Sequence, residues 1–203
     1  MSNKLLPMDG PKVNISSFFS HFPVLNLGDI TLRAMKLEDA EDYFALMSDP
    51  RVNQYESDEN VPTTLEEAMT EVRYYGGLFH RRQSVYWVIA DSNTEKLIGI
   101  IGYNSWSVHN QRAEVSYDIL PEYWRRGIGT KALNNIVAFG FTKMFLNRIE
   151  ARTTIENVGS VKLLMKIGFK QDGILRSYRL IRGKFVDINM LSILRKNCAL
   201  PIA

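Results

Sequence analysis

Hydrophobic residues along this chain recur with two periods, and the places where one gives way to the other mark its elements. Residues 29–35, "DITLRAM", alternate as a strand, whereas 36–49 place Leu37, Ala40, Tyr43, Phe44 and Met47 at helical spacing and stop before Pro50. A second helix opens at Thr64, which with Glu67 forms a capping box, and is expected to run to about Arg82. Between these helices "RVNQYESDENVP" is polar and turn-rich, a loop expected to border a substrate. Alternation returns at 85–91 and 97–107, joined as a hairpin by "SNTEK", and again in "RAEVSYDIL" at 112–120. There Ala113, Val115, Tyr117 and Ile119 share one face, and Glu114, Ser116 and Asp118 the other.

A helix with a stripe of Leu133, Val137, Phe141 and Met144 follows. After it come a strand at 147–155, a short helix closed by Gly168, and a hairpin over 174–194 that turns at Arg182 and Gly183. The order is strand, two helices, three strands, helix, strand, helix, two strands, with no repeat and no linker. This predicts one α/β domain over 29–195. An arm, 1–28, is expected to lie on the domain or partly fray, and a short tail occupies 196–203.

Composition narrows the function classes. With 45% hydrophobic and 23% charged residues among 203, the chain has the balance of an ordinary soluble globule with a sizeable core. A net charge of +3 spread along the chain is too weak and too scattered to argue for nucleic acid. The single cysteine, Cys198, permits no internal disulfide and no cysteine-based metal site, and His21, His80 and His109 lack ligand spacing, so no metal is expected. A reducing cytoplasm fits this usage. The apolar runs are too short and too interrupted for a membrane span or a signal peptide. Asn14-Ile15-Ser16 is a formal glycosylation sequon, read as chance in a cytoplasmic protein.

The chemistry-bearing stretch is "WRRGIGT" at 124–130, glycines before a helix. Unpaired N–H groups and the helix dipole make such a place a cradle for phosphate, and glycines let the anion approach the backbone. Gly127, Gly129 and Ala132 match a dinucleotide-binding G-x-G-x-x-A, with Glu150 as the acidic residue beyond. Six residues between strand end and first glycine, and antiparallel hairpins upstream, argue against it. The nucleotide-triphosphate pattern G-x-x-x-x-G-K-[ST] is absent. A tight turn with solvated arginines is the bland alternative.

The loop does not stand alone. "AEVSYDILPEYWRRGIGTKAL" together with "ENVGSVKLLMKIGFKQDGILR" resembles the GNAT family of N-acetyltransferases, particularly the branch of ribosomal-protein N-terminal acetyltransferases typified by RimJ and RimL. The resemblance covers roughly residues 24–195. It implies the GNAT fold, a mixed, mostly antiparallel central sheet flanked by helices and splayed between the fourth and fifth strands. It also implies acetyl-CoA as cosubstrate, with its pyrophosphate on the backbone amides of Arg125, Arg126, Gly127, Ile128, Gly129 and Thr130. The family pattern Q/R-x-x-G-x-G/A has Trp124 at its first position here. The pantetheine arm would lie in the wedge beside Ile119 and Leu120, and a backbone N–H near Ile119 would polarise the thioester carbonyl. Asn157 and Ser160 match the family's N-x-x-S, Asn157 contacting the cofactor arm and Ser160 lying near the sulfur; helix capping is the alternative for both. Some members carry a tyrosine at the position of Leu164 to reprotonate the thiolate, so that task falls to Ser160 here.

Glu114 matches the acidic residue of the family's "AE-[IVL]-x-Y" and is the expected general base, the alternative being a solvent-facing strand carboxylate. An α-amine, with pKa near 7.7–8.0, asks less of such a base than a lysine near 10.4. The expected function is therefore direct acetyl transfer to a primary amine, foremost the N-terminal α-amine of a protein. A small-amine acetyltransferase and an acyl-CoA-binding module without turnover are the alternatives. Glu56, Asp58 and Glu59 stand as candidates to meet a cationic acceptor, Tyr178 and Arg179 to line its pocket, and a homodimer stays open. Asp172 is read as a turn carboxylate, and Trp87, Trp106, Tyr74 and Tyr75 as core or pocket wall.

Overall fold

A computed structural model describes residues 15–198. Asn14 of the sequon, the rest of the arm before it and tail residues 199–203 lie outside the described residues. In chain order the elements are α1 (Ile15–Phe18), β1 (Leu25–Asn26), β2 (Ile30–Arg33), α2 (Ala40–Ser48), α3 (Pro50–Asn53), α4 (Leu65–His80), β3 (Tyr86–Asp91) and β4 (Leu97–Ser107). There follow β5 (Arg112–Ile119), α5 (Ile128–Thr142), β6 (Arg148–Thr154), α6 (Val158–Ile167), β7 (Lys170–Ile181) and β8 (Lys184–Leu194). The strands form one sheet in the order β1-β2-β3-β4-β5-β6-β8-β7.

Every neighbouring pair is antiparallel except β5 and β6, which run parallel and pair only over Arg112–Glu114 and Arg148–Glu150. Beyond Glu114 the two strands part, and this splay opens the sheet where the site lies. Leu120 N donates to Ile98 O, 2.9 Å, so the alternating ladder turns the N–H groups of Tyr117 and Ile119 away from β4 and toward the gap.

Strand β3 is buried on both faces, and its period of two divides the core. Trp87 and Ile89 join the cluster under α5 and α6, with Leu133, Ile136, Val137 and Phe141. Val88 and Ala90 join the opposite cluster under α2 and α4, with Tyr43, Leu46, Ala68 and Val72. Residues 18–22 of the arm are not loose: Phe18, Phe19 and Phe22 meet Phe79, Trp106 and Trp87 in edge and tilted ring contacts. Trp87 Nε1 donates to Pro23 O, 2.6 Å.

Local chemistry sets the boundaries. Asp49 accepts from Arg51 N at 2.8 Å, which caps α3 with Pro50 in its first turn. Thr64 accepts from Glu67 N, whereas Glu67 reaches back to Thr63 N, one residue earlier than the expected reciprocal bond. Arg33, itself buried, is held by a bidentate pair with buried Asp39, at 2.7 and 2.9 Å, and fastens β2 to the turn before α2. The pairing keeps the guanidinium charged against the cost of its burial. No helix among the described residues is long and apolar enough to cross a membrane.

Candidate active site

Two cavities meet in the wedge between β5 and β6. The larger, about 490 Å³, is walled by the end of β5, the 123–130 loop and the start of α6. The smaller, about 200 Å³ and mostly polar, lies on the α2 and α4 side of the sheet and is closed by Tyr55, Glu56 and Asn60 and by Arg179 of β7. Val52, Tyr55, Tyr117, Asp118, Asn157 and Ser160 line both. A group reaching in from the larger cavity and another from the smaller would come together at these six side chains, the last four of them on β5 and at the start of α6.

The larger cavity is bordered by a glycine turn and a helix N-terminus. Gly127 takes the N-cap position of α5 with φ +83°, a left-handed conformation open to glycine, and Arg125 before it has φ +60°. The turn leaves the first N–H groups of a fifteen-residue helix without helical partners. At Gly129 a Cβ would come within 3.1 Å of Leu163 and 3.3 Å of Ile119, so the bare backbone keeps the channel open between α5 and α6. Arg125, Gly127, Gly129, Thr130, Ile119 and Asn157 line this cavity. The other side chains named with them do not: Ile128 is buried in the core, Leu120 packs against the α2 and α4 cluster, and Arg126 lies over the Tyr123 ring. Trp124 ties the loop to the strand, its Nε1 donating to Ile119 O at 2.6 Å.

Asn157 caps α6, its side chain accepting from Ser160 N at 3.1 Å, so the capping alternative holds while the residue also lines both cavities. Ser160 Oγ and Tyr117 Oη share a hydrogen bond of 2.8 Å. Burial pushes the Tyr117 phenol up to about 12 although the Ser160 bond opposes it. Leu164, where a tyrosine was missed, is buried behind them. A hydroxyl pair therefore occupies the junction, with its phenol supplied by β5 instead of α6. The spacing in "AEVSY" carried that signal, since Tyr117 lies on the opposite face from Glu114.

Glu114 is buried and ion-paired through Oε2 with Arg152 of β6. Arg152 also donates to Tyr178 Oη at 2.7 Å, while its Nε is buried without a hydrogen-bond partner. The Glu114 bond, chiefly, holds the guanidinium charged. Two strand positions on, Ser116 bonds Tyr86 Oη at 2.7 Å.

Asp118, two further on, has no hydrogen-bonding partner among the described residues. Burial first, and then the charge of Glu56, push its carboxyl up to about 8. Glu56 is itself raised by burial, with Arg179 and Asn60 opposing. Sequence reasoning placed Asp118 on this face and passed over it.

The remaining candidates lie outside the shared wall. Asp172 pairs with Arg148 at 2.5 Å, Asp58 accepts from Arg182 N at 3.3 Å, and His21, His80 and His109 are exposed. Tyr75 is cavity wall, Tyr74 lies against Arg81, and Trp87 is core. Among the described residues no group of His, Cys, Asp or Glu is arranged to hold a metal ion.

A splayed sheet with a glycine cradle at the wedge and a polar cavity behind it defines a GNAT acetyltransferase, a class that uses acetyl-CoA. The family model for the acetyltransferase (GNAT) domain matches residues 29–170, and the chain belongs to that family. It is an N-acetyltransferase by its relatives as well. It is 34% identical over 174 residues to the "Uncharacterized N-acetyltransferase YoaA" of Bacillus subtilis (strain 168), covering 86% of this chain and 98% of the relative. It is 25% identical over 166 residues to a spermidine N(1)-acetyltransferase of Vibrio cholerae, covering 82% and 93%. Among solved structures, the ribosomal-protein-S5-alanine acetyltransferase of Vibrio fischeri superposes with a TM-score of 0.75 at 23% identity, over 88% of this chain and 98% of that one. At that identity the likeness speaks for the fold.

Proposed function

We propose that this chain transfers the acetyl group of acetyl-CoA to the N-terminal α-amine of a protein, such as a ribosomal protein, in the manner of the RimJ/RimL branch and in the cytoplasm. The observation that carries the reading is the shared wall of the two cavities at Tyr117, Asp118, Asn157 and Ser160. The cradle of Arg125 to Thr130 would hold the pyrophosphate, the N–H of Ile119 would face the thioester carbonyl, and Asn157 would border the pantetheine arm. Bound there, the cosubstrate supplies an activated acetyl thioester. Ser160, through its bond with Tyr117, is the source of the proton that the departing sulfur needs. A carboxylate on the polar face of β5, Glu114 or Asp118, takes the proton that the amine sheds, and attack is direct.

The choice of acceptor rests on charge. Arg152 and Arg179 share the smaller cavity with Glu56, Glu114 and Asp118. A peptide N-terminus brings backbone carbonyls that accept from guanidinium groups, and Arg152 Nε has no partner. A polyamine brings only donors and positive charge, which two arginines repel. The three carboxylates, together with the spermidine-acetylating relative, favour a small polyamine as the second reading. A binding module without turnover is the third.

Mass spectrometry decides among them. A peptide beginning Ser-Ala-Arg, with one internal lysine, is incubated with the protein and acetyl-CoA beside spermidine. Acetylation confined to the peptide N-terminus is expected. Acetylated spermidine with an untouched peptide would overturn the α-amine reading, and no product from any amine would leave the binding module.

A further inference from the structure

We propose that Asp118 is the general base of this site, and that Glu114 is a positioning residue that acts through Arg152. The inference rests on the acetyl-transfer reading above and names which of the two β5 carboxylates takes the proton.

Both carboxylates lie on one face of β5, four residues and so about 13 Å of strand apart. Their surroundings differ. Glu114 has a guanidinium on Oε2, so Arg152 already occupies that oxygen, and it lines only the smaller cavity. Asp118 lines both cavities, one residue from Ile119, whose N–H faces the gap. Among the described residues its carboxyl has no hydrogen-bond partner and no cation of its own. The charge it meets is that of Glu56 from the loop before α4, and the titratable groups that feel its own are the phenols of Tyr43 of α2, Tyr75 of α4, Tyr86 of β3 and Tyr117 of its own strand. Arg179 of β7 acts on Glu56.

A second carboxylate beside an unpaired one, in a cavity that withholds water, makes a site that welcomes a proton. Burial and Glu56 accordingly hold Asp118 at about 8, against 3.8 for a free aspartate. That makes it a stronger base than an ordinary carboxylate, and close to the pH at which an α-amine becomes neutral.

In the step, the neutral amine nitrogen forms the C–N bond to the acetyl carbonyl carbon while the C–S bond breaks. The nitrogen's proton passes to Asp118 and from there to solvent. The sulfur takes a proton from the Ser160–Tyr117 pair, which solvent replaces. An amine and a thioester give an amide and a thiol with no net proton.

Active enzyme therefore requires two deprotonated groups, the amine and Asp118. For whichever of the peptide and spermidine is acetylated, log(kcat/KM) of the parent is expected to rise with a slope of about two below pH 8. Asp118→Asn is expected to rise with a slope of about one and to lose about 10²-fold at pH 9. Glu114→Gln is expected to keep the two-proton slope and shift the whole profile. A two-proton slope retained by Asp118→Asn, or lost by Glu114→Gln, overturns the assignment. Should Asp118→Asn not fold, ¹³C NMR titration of the Asp118 carboxyl in the ligand-free parent decides, with a midpoint near 8 expected and one in the ordinary carboxylate range fatal. A parent without turnover on any amine overturns the reading underneath, an outcome distinct from an active parent whose profile ignores Asp118.

Discussion

Asp118 also makes a prediction about stability that needs no substrate. Its carboxyl titrates near 3.8 unfolded and near 8 in the native cavity, raised by burial and then by Glu56. Below pH 3.8 it is protonated in both states and makes no difference between them. From about 4 to 8 the unfolded chain releases the proton and the native chain keeps it, so unfolding gains and stability falls as pH rises. Above 8 the loss is complete. Each pH unit in this window costs about 1.4 kcal/mol, so between pH 5 and 8 the parent loses up to about 4 kcal/mol through this one group. Asp118→Asn does not titrate and escapes that loss, while groups remote from Asp118 cancel in the comparison and Glu56, which meets its charge, is relieved in the same direction. For a domain of this size, about 2–4 °C of Tm accompanies each kcal/mol. Calorimetric melts of parent and variant at pH 5, 6, 7 and 8 are expected to diverge steadily, with the variant ahead by several degrees or more at pH 8. A Tm difference independent of pH, or one that favours the parent at pH 8, refutes the reasoning and with it the raised carboxyl.

Other perturbations test other parts of the molecule. Gly127→Ala forces a side chain onto a backbone with φ +83° and is expected to cost about 1–2 kcal/mol in a urea melt and to weaken acetyl-CoA binding in calorimetric titration. Ser160→Ala and Tyr117→Phe each remove the 2.8 Å hydroxyl bond, and each is expected to lower kcat with little change in acetyl-CoA affinity. The double variant is expected to be no slower than the worse single one, because the pair works as a unit. Asp39→Ala leaves buried Arg33 without its partner and is expected to cost about 3–5 kcal/mol by chemical denaturation.

The fold was legible because its strongest signals are local. The two faces of "RAEVSYDIL" sorted as their period required, and Leu133, Val137 and Phe141 of the expected stripe lie on the buried face of α5, with Met144 buried in the same core just beyond its end. The Arg182–Gly183 turn has positive φ at both residues, as a tight hairpin requires. What stayed hidden depended on distant partners. The arm's phenylalanines have no helical or strand period, and only the placing of Phe79, Trp87 and Trp106 gives them a surface to cover. Thr64 likewise read as half of a capping box, but Thr63 takes the Glu67 carboxylate.

The site divides along the same line. A glycine turn before a helix and an N-x-x-S helix start are sequence-local, so Gly127 and Gly129 could be named from spacing, and Asn157 and Ser160 from the family resemblance. Which carboxylate on β5 is free to accept a proton is not a local property. Glu114 and Asp118 look alike on one strand face, and what separates them is that Arg152 comes from β6, 38 residues beyond Glu114. Glu56 approaches Asp118 from a loop more than sixty residues before it. Arg152 occupies one carboxylate, while burial and a like charge raise the proton affinity of the other. A pairing 38 residues away thus decides whether the family's acidic motif position or the aspartate beyond it does the proton transfer in this chain.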